Sequence, residues 1–384
     1  MLIKSSRPVK VFAWSAYLLA FAAPISIVAA QAFAAVILVL GHLLLWSGAR
    51  RTSLHFGQAL FILSFLAILL ISSALSPDFN AAIPQLRKSW VLFCYFPLTV
   101  LGWSYSARNT IKALIWGTAL ASAIGIARFI FAGIERAAPF SGGYTTLALF
   151  EAAALPFAII MAREKGRKGL FDGLAIMLIV AGLLMTQTRA GWLAALVVAI
   201  FVGYYLNKKV ALLTTVAILI LAMILPQSRE IIKKRLASDR QGGFTSGRLI
   251  LWSQAKEPLS NLPLFGHGPG SFKRLAPDSL YQKVGDPSIK SWHSTPLDIL
   301  IESGPLALAA IIGAMLIPLI FAWRAFKSQR RLAEGLGLFA AMAALYLGGM
   351  TTNLYRDFLL LCLIVVLWSL AFKPEEQTLD LQSG

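Results

Sequence analysis

The amino-acid sequence predicts an all-α polytopic membrane protein with about twelve transmembrane helices and one long, partly helical loop. Of the 384 residues, 58% are hydrophobic and only 14% are charged, a composition too apolar for a soluble fold to cover. The apolar residues fall into repeated runs of roughly twenty, the length that a helix needs to cross a bilayer. Runs such as Leu212 to Leu225 do not alternate apolar and polar residues, which excludes a β-barrel.

Individual candidate spans follow from these apolar runs. In chain order they cover residues 11–25, 31–47, 57–75, 89–104, 110–132, 143–162, 169–187, 190–206, 209–225, 297–323, 332–352 and 356–372. The first two are short and the first contains Pro24, so they are also compatible with one re-entrant pair. An even number of spans places both termini on the same side of the membrane.

Basic residues in the short loops predict the orientation. Lys and Arg concentrate at 1–10, 50–51, 108–112, 163–168, 208–209, 324–331 and the tail from Lys373. Cytoplasmic loops are enriched in these residues, so both termini are predicted to be cytoplasmic. The chain then divides into helices 1–9 (1–225), a loop domain (226–296), helices 10–12 (297–372) and a cytoplasmic tail (373–384). The loop domain lies on the outer face, which is the periplasm in a Gram-negative cell.

The net charge of +18 has a membrane explanation. Cytoplasmic loops and anionic headgroups account for part of it, so nucleic-acid binding is not predicted. The loop domain carries eleven basic and five acidic residues, which suits an anionic ligand.

Cys94 and Cys362 lie inside apolar runs and are predicted to be packing residues.

Two helices and a turn are predicted in the loop domain. Residues 227–239 combine an apolar and a basic side, as in a helix lying along the membrane surface. Residues 248–256 form a second helix, ended near Pro258. The Gly-rich turn, residues 266–270, does not lie between a strand and a helix, so it is not a nucleotide-binding fingerprint. We interpret it as a hinge that shapes the loop.

Arginines near the outer face are the first candidates for chemistry. Arg189 lies in the tight connection between predicted spans seven and eight, where it either anchors lipid headgroups or clamps a phosphate. Arg248 begins the second helix of the loop domain. It is either a solvated loop residue or the partner of Arg189 in bracketing a pyrophosphate. By contrast, Arg128 and Glu151 are predicted to form a structural ion pair between adjacent helices.

His293 is the candidate general base. It stands at the mouth of the tenth span, and its imidazole titrates near physiological pH. The alternative is a hydrogen-bonding residue at the helix start. Asp298 and Glu302 share one face of the following helix, where either can orient the imidazole or complement the helix dipole. His267, in the Gly-rich turn, is a turn residue or a supporting one. No group of residues has metal-ligand spacing, so no metal or cofactor is predicted.

Four motifs together resemble the O-antigen ligase family. They are Thr186-Gln187-Thr188-Arg189-Ala190-Gly191-Trp192, then Gly247-Arg248 with Trp252, then Pro263-Leu264-Phe265-Gly266-His267-Gly268-Pro269-Gly270-Ser271-Phe272, and finally Trp292-His293-Ser294 with Leu300-Ile301-Glu302-Ser303-Gly304-Pro305-Leu306. Their order and spacing carry the resemblance. The chain departs from the family pattern at Thr188, where Ser is usual, at Ser294, where Asn is common, and at Pro305.

This resemblance implies a GT-C-like helical architecture and glycosyl transfer without a metal or cofactor. The donor would be an undecaprenyl-pyrophosphate-linked glycan, and the acceptor a sugar hydroxyl of lipid A–core. Both would lie in the bacterial inner membrane, with the active site facing the periplasm and membrane lipids around it. Arg189 and Arg248 would hold the pyrophosphate. His293 would take the acceptor proton, and the transfer would invert the anomeric centre.

Two alternatives remain. An O-antigen polymerase or a protein O-oligosaccharyltransferase shares this chemistry and differs in the acceptor, and the short chain favours the ligase. A transporter predicts charges and broken helices near the bilayer midplane. In this sequence the polar groups instead gather near the outer face, which favours an enzyme.

Overall fold

The computed structural model describes residues 6–49, 52, 54–165, 170–206, 248–278, 280–281, 289–328 and 332–372. This part of the chain is all-helical and contains no strand. We number its helices α1 (Arg7–Ala22), α2 (Ile27–Trp46), α3 (Phe56–Ala74), α4 (Phe79–Ser89), α5 (Tyr95–Val100), α6 (Ala107–Phe131), α7 (Tyr144–Lys165), α8 (Leu170–Met185), α9 (Arg189–Leu206), α10 (Arg248–Gln254), α11 (Lys256–Ser260), α12 (Phe272–Leu275), α13 (Thr295–Lys327), α14 (Leu332–Gly349) and α15 (Phe358–Ala371).

Long apolar helices pack side by side around α7. Helix α7 contacts α6, α8, α9 and α14, and most of its side chains are buried. Helix α13 packs along α3 and α14, while α1 packs against α2 and α6. Large apolar side chains such as Trp46 and Val28 remain exposed on the outside, as expected where lipid replaces water.

Polar residues define where several helices begin. The side chain of Ser106 accepts a hydrogen bond from the N–H of Asn109 (3.4 Å) at the start of α6. At the start of α15, Asp357 accepts from the N–H groups of Leu359 (2.9 Å) and Leu360 (3.4 Å). These contacts satisfy backbone donors that the first turn of a helix leaves unpaired.

Within the described residues, six helices are long and apolar enough to cross a membrane: α2, α3, α6, α7, α9 and α13. Shorter apolar helices occupy Asp172–Met185, Glu334–Gly349 and Phe358–Ala371. The described part is therefore a polytopic membrane protein. The predicted span 209–225 and the predicted surface helix 227–239 lie outside the described residues.

Two predicted helices are interrupted. The predicted span 89–104 is not one helix, because short 3-10 turns at Trp90–Cys94 and Gly102–Ser104 flank α5. The predicted helix 248–256 divides at Ala255 into α10 and α11. Pro258 does not end α11. It lies in the first turn, where the missing N–H costs no hydrogen bond.

The loop domain has a small apolar core of its own. Leu251 and Ala255 pack with Phe272 and Trp292, and Ile301 of α13 joins them. The ring centroids of Phe272 and Trp292 lie 4.8 Å apart at an angle of 76°. This core fixes the described part of the loop domain against the beginning of α13.

One end of the bundle gathers the segments that carry the predicted site residues. It contains the ends of α3, α6, α8 and α14 and the beginnings of α7, α9, α13 and α15. Hydrogen bonds join α3 to α13 (Ser72 Oγ to Glu302 O, 2.8 Å) and α7 to the start of α15 (Thr146 to Asp357), and further bonds between these segments are described below. We call this the site end.

Candidate functional site

His293 lies in residues 289–294, which lead into α13 and which we call the His293 segment. Its φ of 51° is a left-handed backbone conformation that side-chain-bearing residues adopt rarely. Its N–H donates to the hydroxyl of Ser291 (3.3 Å), and its side chain is half-buried. An uncommon backbone conformation persists only where surrounding contacts hold it, so the neighbours of His293 define the geometry of the site.

Asp298 provides that support. Its fully buried carboxylate accepts from the N–H of Trp292 (2.9 Å) and from the N–H of Ser294 (3.4 Å), on either side of His293. The amide of Asn353 also donates to it (2.8 Å). These bonds show Asp298 acting on the backbone around His293, so it holds the position from which the imidazole projects.

Glu302, one turn further along α13, connects this segment to the loop between α14 and α15. Its buried carboxylate forms an ion pair with Arg356 and accepts from the hydroxyl of Tyr355. Another N–H of Arg356 donates to the carbonyl of Lys290, three residues before His293. Arg356 therefore joins Glu302 of α13 to the backbone just before His293.

Helix α13 is broken just after Glu302. At Gly304, φ is 83° and ψ is 174°, so the preceding carbonyl groups lose their partners within the helix. The Gly-rich turn replaces them: the N–H of His267 donates to Ile301 O (2.8 Å), and that of Gly268 donates to Glu302 O (2.8 Å). We predicted one continuous span and a hinge-like turn. The structure shows a broken helix with the turn as its cap.

Other contacts hold the Gly-rich turn in place. The ring Nε2 of His267 donates to the carbonyl of Pro258 (3.0 Å), and Arg274 donates to the carbonyl of His267 (2.7 Å). A Cβ added to Gly266 would lie 2.5 Å from the carbonyl oxygen of Glu302, so only glycine permits this approach. The contacts of His267 are those of a turn residue.

The turn before Arg189 is tightly constrained. Gln187 has a φ of 53°, and the hydroxyl of buried Thr186 accepts from the N–H of Thr188 (3.4 Å). The indole N–H of Trp192 donates to the carbonyl of Leu183 (2.7 Å), which joins α9 back to α8. Arg189 is the first residue of α9 and half-buried. Helix N-termini favour anions, so this position suits a phosphate-binding side chain.

Arg248 is the first residue of α10, and this helix is fastened to the His293 segment. One turn after Arg248, the indole N–H of Trp252 donates to the carbonyl of Trp292 (3.0 Å), the residue before His293. Residues four apart lie on the same face of a helix. This hydrogen bond therefore holds the helix that begins with Arg248 against the segment that carries His293.

The two predicted arginines lie close enough for their charges to interact. Burial lowers the pKa of Arg248, and the nearby charge of Arg189 lowers it further, while Tyr144 acts in the opposite direction. Like charges held together repel, and an anion between them relieves that repulsion. The structure therefore places Arg189 and Arg248 within electrostatic reach of each other, an arrangement that suits an anion.

The predicted ion pair between Arg128 and Glu151 is wrong. Arg128 donates to the carbonyls of Ala138 (3.1 Å) and Pro139 in its own following loop. Glu151 is fully buried and accepts from the hydroxyl of Ser122 (2.7 Å). The rotation of α6 about its axis decides this result, because Ser122 rather than Arg128 faces Glu151.

Sequence reasoning missed the loop between α14 and α15. Asn353, Tyr355 and Arg356 all bind the carboxylates of α13, and Lys88 of α4 donates to the carbonyl of Arg356 (2.7 Å). Burial lowers the pKa of Lys88, and the neighbouring Asp357 opposes that effect. The available signal was the polar segment 351–357 between two apolar spans on the predicted outer side.

Helix packing defines this protein as a polytopic helical membrane protein. At its site end, Arg189 and Arg248 lie within electrostatic reach of each other, and the helix that carries Arg248 is bonded to the residue before His293. Residues 174–312 match the family model described as O-antigen ligase. The match, which covers about a third of the chain, supports assignment to the O-antigen ligase family, the family that the motifs resemble, within the superfamily that includes the polymerases. This family transfers glycosyl groups. Every predicted site residue lies inside the matched region. No curated protein matches the chain.

Proposed function

We propose that this protein transfers a glycan from undecaprenyl pyrophosphate to a sugar hydroxyl of lipid A–core, on the periplasmic face of the bacterial inner membrane. The observation that carries the proposal is the pairing of Arg189 with Arg248 on a helix bonded to the residue before His293. The family match supplies the reaction class, namely glycosyl transfer from a lipid-linked donor.

The arginines stabilise the leaving group. When the bond between the anomeric carbon and the pyrophosphate oxygen breaks, the electron pair stays on the pyrophosphate. Two guanidinium groups neutralise that charge, in the role that a divalent ion fills in other enzymes. Arg248 is partly buried, which strengthens its interaction with an anion relative to an exposed arginine.

His293 acts as the general base. Its imidazole takes the proton from the acceptor hydroxyl while that oxygen bonds to the anomeric carbon. Attack from the face opposite the pyrophosphate inverts the configuration at that carbon. Asp298 holds the backbone on both sides of His293, so the base keeps its position during the transfer.

The break in α13 is compatible with this enzyme. A transporter site would combine broken helices and charges near the middle of the membrane. Here the break at Gly304 lies in the first third of the 33-residue helix, next to the site end. The loop domain caps it with backbone N–H groups. The break therefore lets the loop domain bond to α13 close to the His293 segment.

A transfer assay with purified protein, lipid-linked glycan and lipid A–core tests the proposal. We expect His293→Ala to lower the rate by roughly 10²–10⁴-fold, the usual contribution of a general base. Arg189→Ala and Arg248→Ala should each lower it by roughly 10²-fold or more. His42→Ala and Arg108→Ala, at the opposite end of the bundle, are matched controls and should keep full activity.

The acceptor is tested in the same assay. Product on lipid A–core supports the ligase, whereas transfer only to another lipid-linked glycan or to a peptide would replace it with a polymerase or a protein-glycosylating enzyme. Full activity of His293→Ala would overturn the assignment of the general base.

A further inference from the structure

The loop between α6 and α7, residues 132–143, is tied to the turn that precedes Arg189. The N–H of Ala137 donates to the carbonyl of Met185 (2.9 Å), and the side-chain amide of Gln187 donates to the carbonyl of Glu135 (3.2 Å). Arg136 lies between these two bonded residues. Its backbone is therefore held beside the Arg189 turn from both sides.

Arg128, near the end of α6, holds the same loop through hydrogen bonds. Its guanidinium donates to the carbonyls of Ala138 (3.1 Å) and Pro139. Residues 135–139 thus make side-chain and backbone bonds to two different helices. A loop fixed this way presents Arg136 in a defined place rather than as a freely moving surface charge.

The side chain of Arg136 rests on an aromatic ring. Its guanidinium carbon lies 4.3 Å from the ring centroid of Tyr144, the first residue of α7. Stacking uses the flat face of the guanidinium and leaves its N–H donors available at the edge. In the described part of the chain, no carboxylate forms an ion pair with Arg136, and the neighbouring Glu135 is exposed.

Tyr144 also connects Arg136 to the predicted anion pair. It lies within electrostatic reach of Arg248, whose pKa responds both to Tyr144 and to Arg189. Arg136 therefore lies against a ring that is within electrostatic reach of Arg248, while the loop that carries Arg136 is bonded to the turn before Arg189. Neither Arg136 nor Tyr144 belongs to the region that matches the family model.

We propose that Arg136 is a third phosphate-binding residue, held by Tyr144 so that its N–H donors reach the anionic group bound by Arg189 and Arg248. The inference rests on the proposed function and deepens it. The ligand is a lipid diphosphate, which offers more oxygen acceptors than two guanidinium groups occupy. A third planar cation then favours a diphosphate over a monophosphate.

A binding assay tests this inference separately from transfer. The full-length protein is placed in nanodiscs, and the affinity is measured for undecaprenyl pyrophosphate without glycan and for undecaprenyl monophosphate. We expect Arg136→Ala to weaken pyrophosphate binding by about tenfold or more, as for loss of a charge-assisted hydrogen bond. The loss should be smaller for the monophosphate, and Arg136→Lys should fall between wild type and Arg136→Ala.

Tyr144 variants separate positioning from folding. Tyr144→Phe keeps the ring and should bind nearly as wild type, whereas Tyr144→Ala should lose affinity as Arg136→Ala does. The matched control is Arg87→Ala, which removes an exposed positive charge from α4 and should leave the affinity unchanged. Thermal unfolding of each variant shows whether the fold is retained.

Other outcomes overturn the inference. Pyrophosphate affinity of Arg136→Ala within twofold of wild type would remove Arg136 from the site. Weaker binding to phosphatidylglycerol vesicles, with unchanged pyrophosphate affinity, would make Arg136 a headgroup anchor instead. If the wild-type protein does not bind the lipid pyrophosphate, both this inference and the proposed function fail. If the wild type binds and Arg136→Ala binds equally well, only this inference fails.

Discussion

Replacing Gly304 with alanine tests whether the broken helix and its cap support the candidate site. Gly304 combines φ of 83° with ψ of 174°, a region of backbone conformation that is almost restricted to glycine. A Cβ at this position would overlap the carbonyl oxygen of Leu264 and lie 2.8 Å from the N atom of Gly266. The Gly-rich turn would have to move away from α13.

The loss of stability in Gly304→Ala follows from the backbone strain and from the displacement of the Gly-rich turn. Backbone strain of this kind costs about 1–3 kcal/mol. Moving the turn also removes the hydrogen bonds that His267 and Gly268 donate to α13, each worth about 0.5–1.5 kcal/mol. We therefore expect Gly304→Ala to lower the free energy of unfolding by about 2–6 kcal/mol. Glycan transfer should fall more steeply than the amount of folded protein, because Glu302 lies directly before the break and pairs with Arg356, which also bonds the backbone before His293.

Two matched glycine variants make the measurement specific. Gly173→Ala lies in α8 with an ordinary backbone and open space around its Cβ, so it should be neutral or slightly stabilising. Gly133→Ala has φ of 65° but also open space, so it measures the conformational cost alone. Thermal unfolding and transfer are measured on all three variants. Equal melting temperatures for Gly304→Ala and Gly133→Ala would refute the role of the cap.

Further predictions concern the supports of His293 and the leaving-group charge. Arg356→Ala leaves the carboxylate of Glu302 buried without its cation, so we expect a loss of about 3–5 kcal/mol in unfolding free energy, with partial recovery in Arg356→Lys; unchanged stability would contradict the buried ion pair. Trp252→Phe removes the hydrogen bond to Trp292. In the transfer assay, this variant should lower kcat by a larger factor than it raises the KM for the donor. A change in KM alone would speak against a positioning role. Transfer should persist in excess EDTA, and a loss restored by a divalent ion would overturn the assignment of leaving-group stabilisation to arginines.

Sequence alone predicted the all-helical membrane class and the bounds of several long apolar helices. Apolar runs placed helices such as α6, α7 and α9 within a few residues of their ends in the structure. This succeeds because a bilayer demands that every backbone polar group be satisfied within the helix, which is a local property of the chain. The same topology placed Arg189, Arg248 and His293 on one side, and the structure brings the two arginines together.

Side-chain and backbone contacts between segments far apart in the chain were not predictable. Glu302 and Arg356 are 54 residues apart in the chain, and no spacing rule connects them. The cap of α13 likewise joins the loop domain to a helix that begins about thirty residues later, a separation that no periodic pattern describes. The polar segment 351–357 was visible in the sequence, but its contacts were not.

The incorrect prediction of an Arg128–Glu151 ion pair shows what the sequence does not determine about side-chain contacts. Composition and periodicity place both residues inside adjacent helices, but neither determines how α6 is rotated about its axis. Packing of α6 against α7 and α8 decides that rotation, and it turns Ser122 toward Glu151 while Arg128 binds its own loop. The sequence thus determined most of the apolar helices, and its prediction of which residues share a side of the membrane stays a prediction. Only the tertiary structure decided which side chains meet, because side-chain contacts depend on close packing between segments that are far apart in the chain.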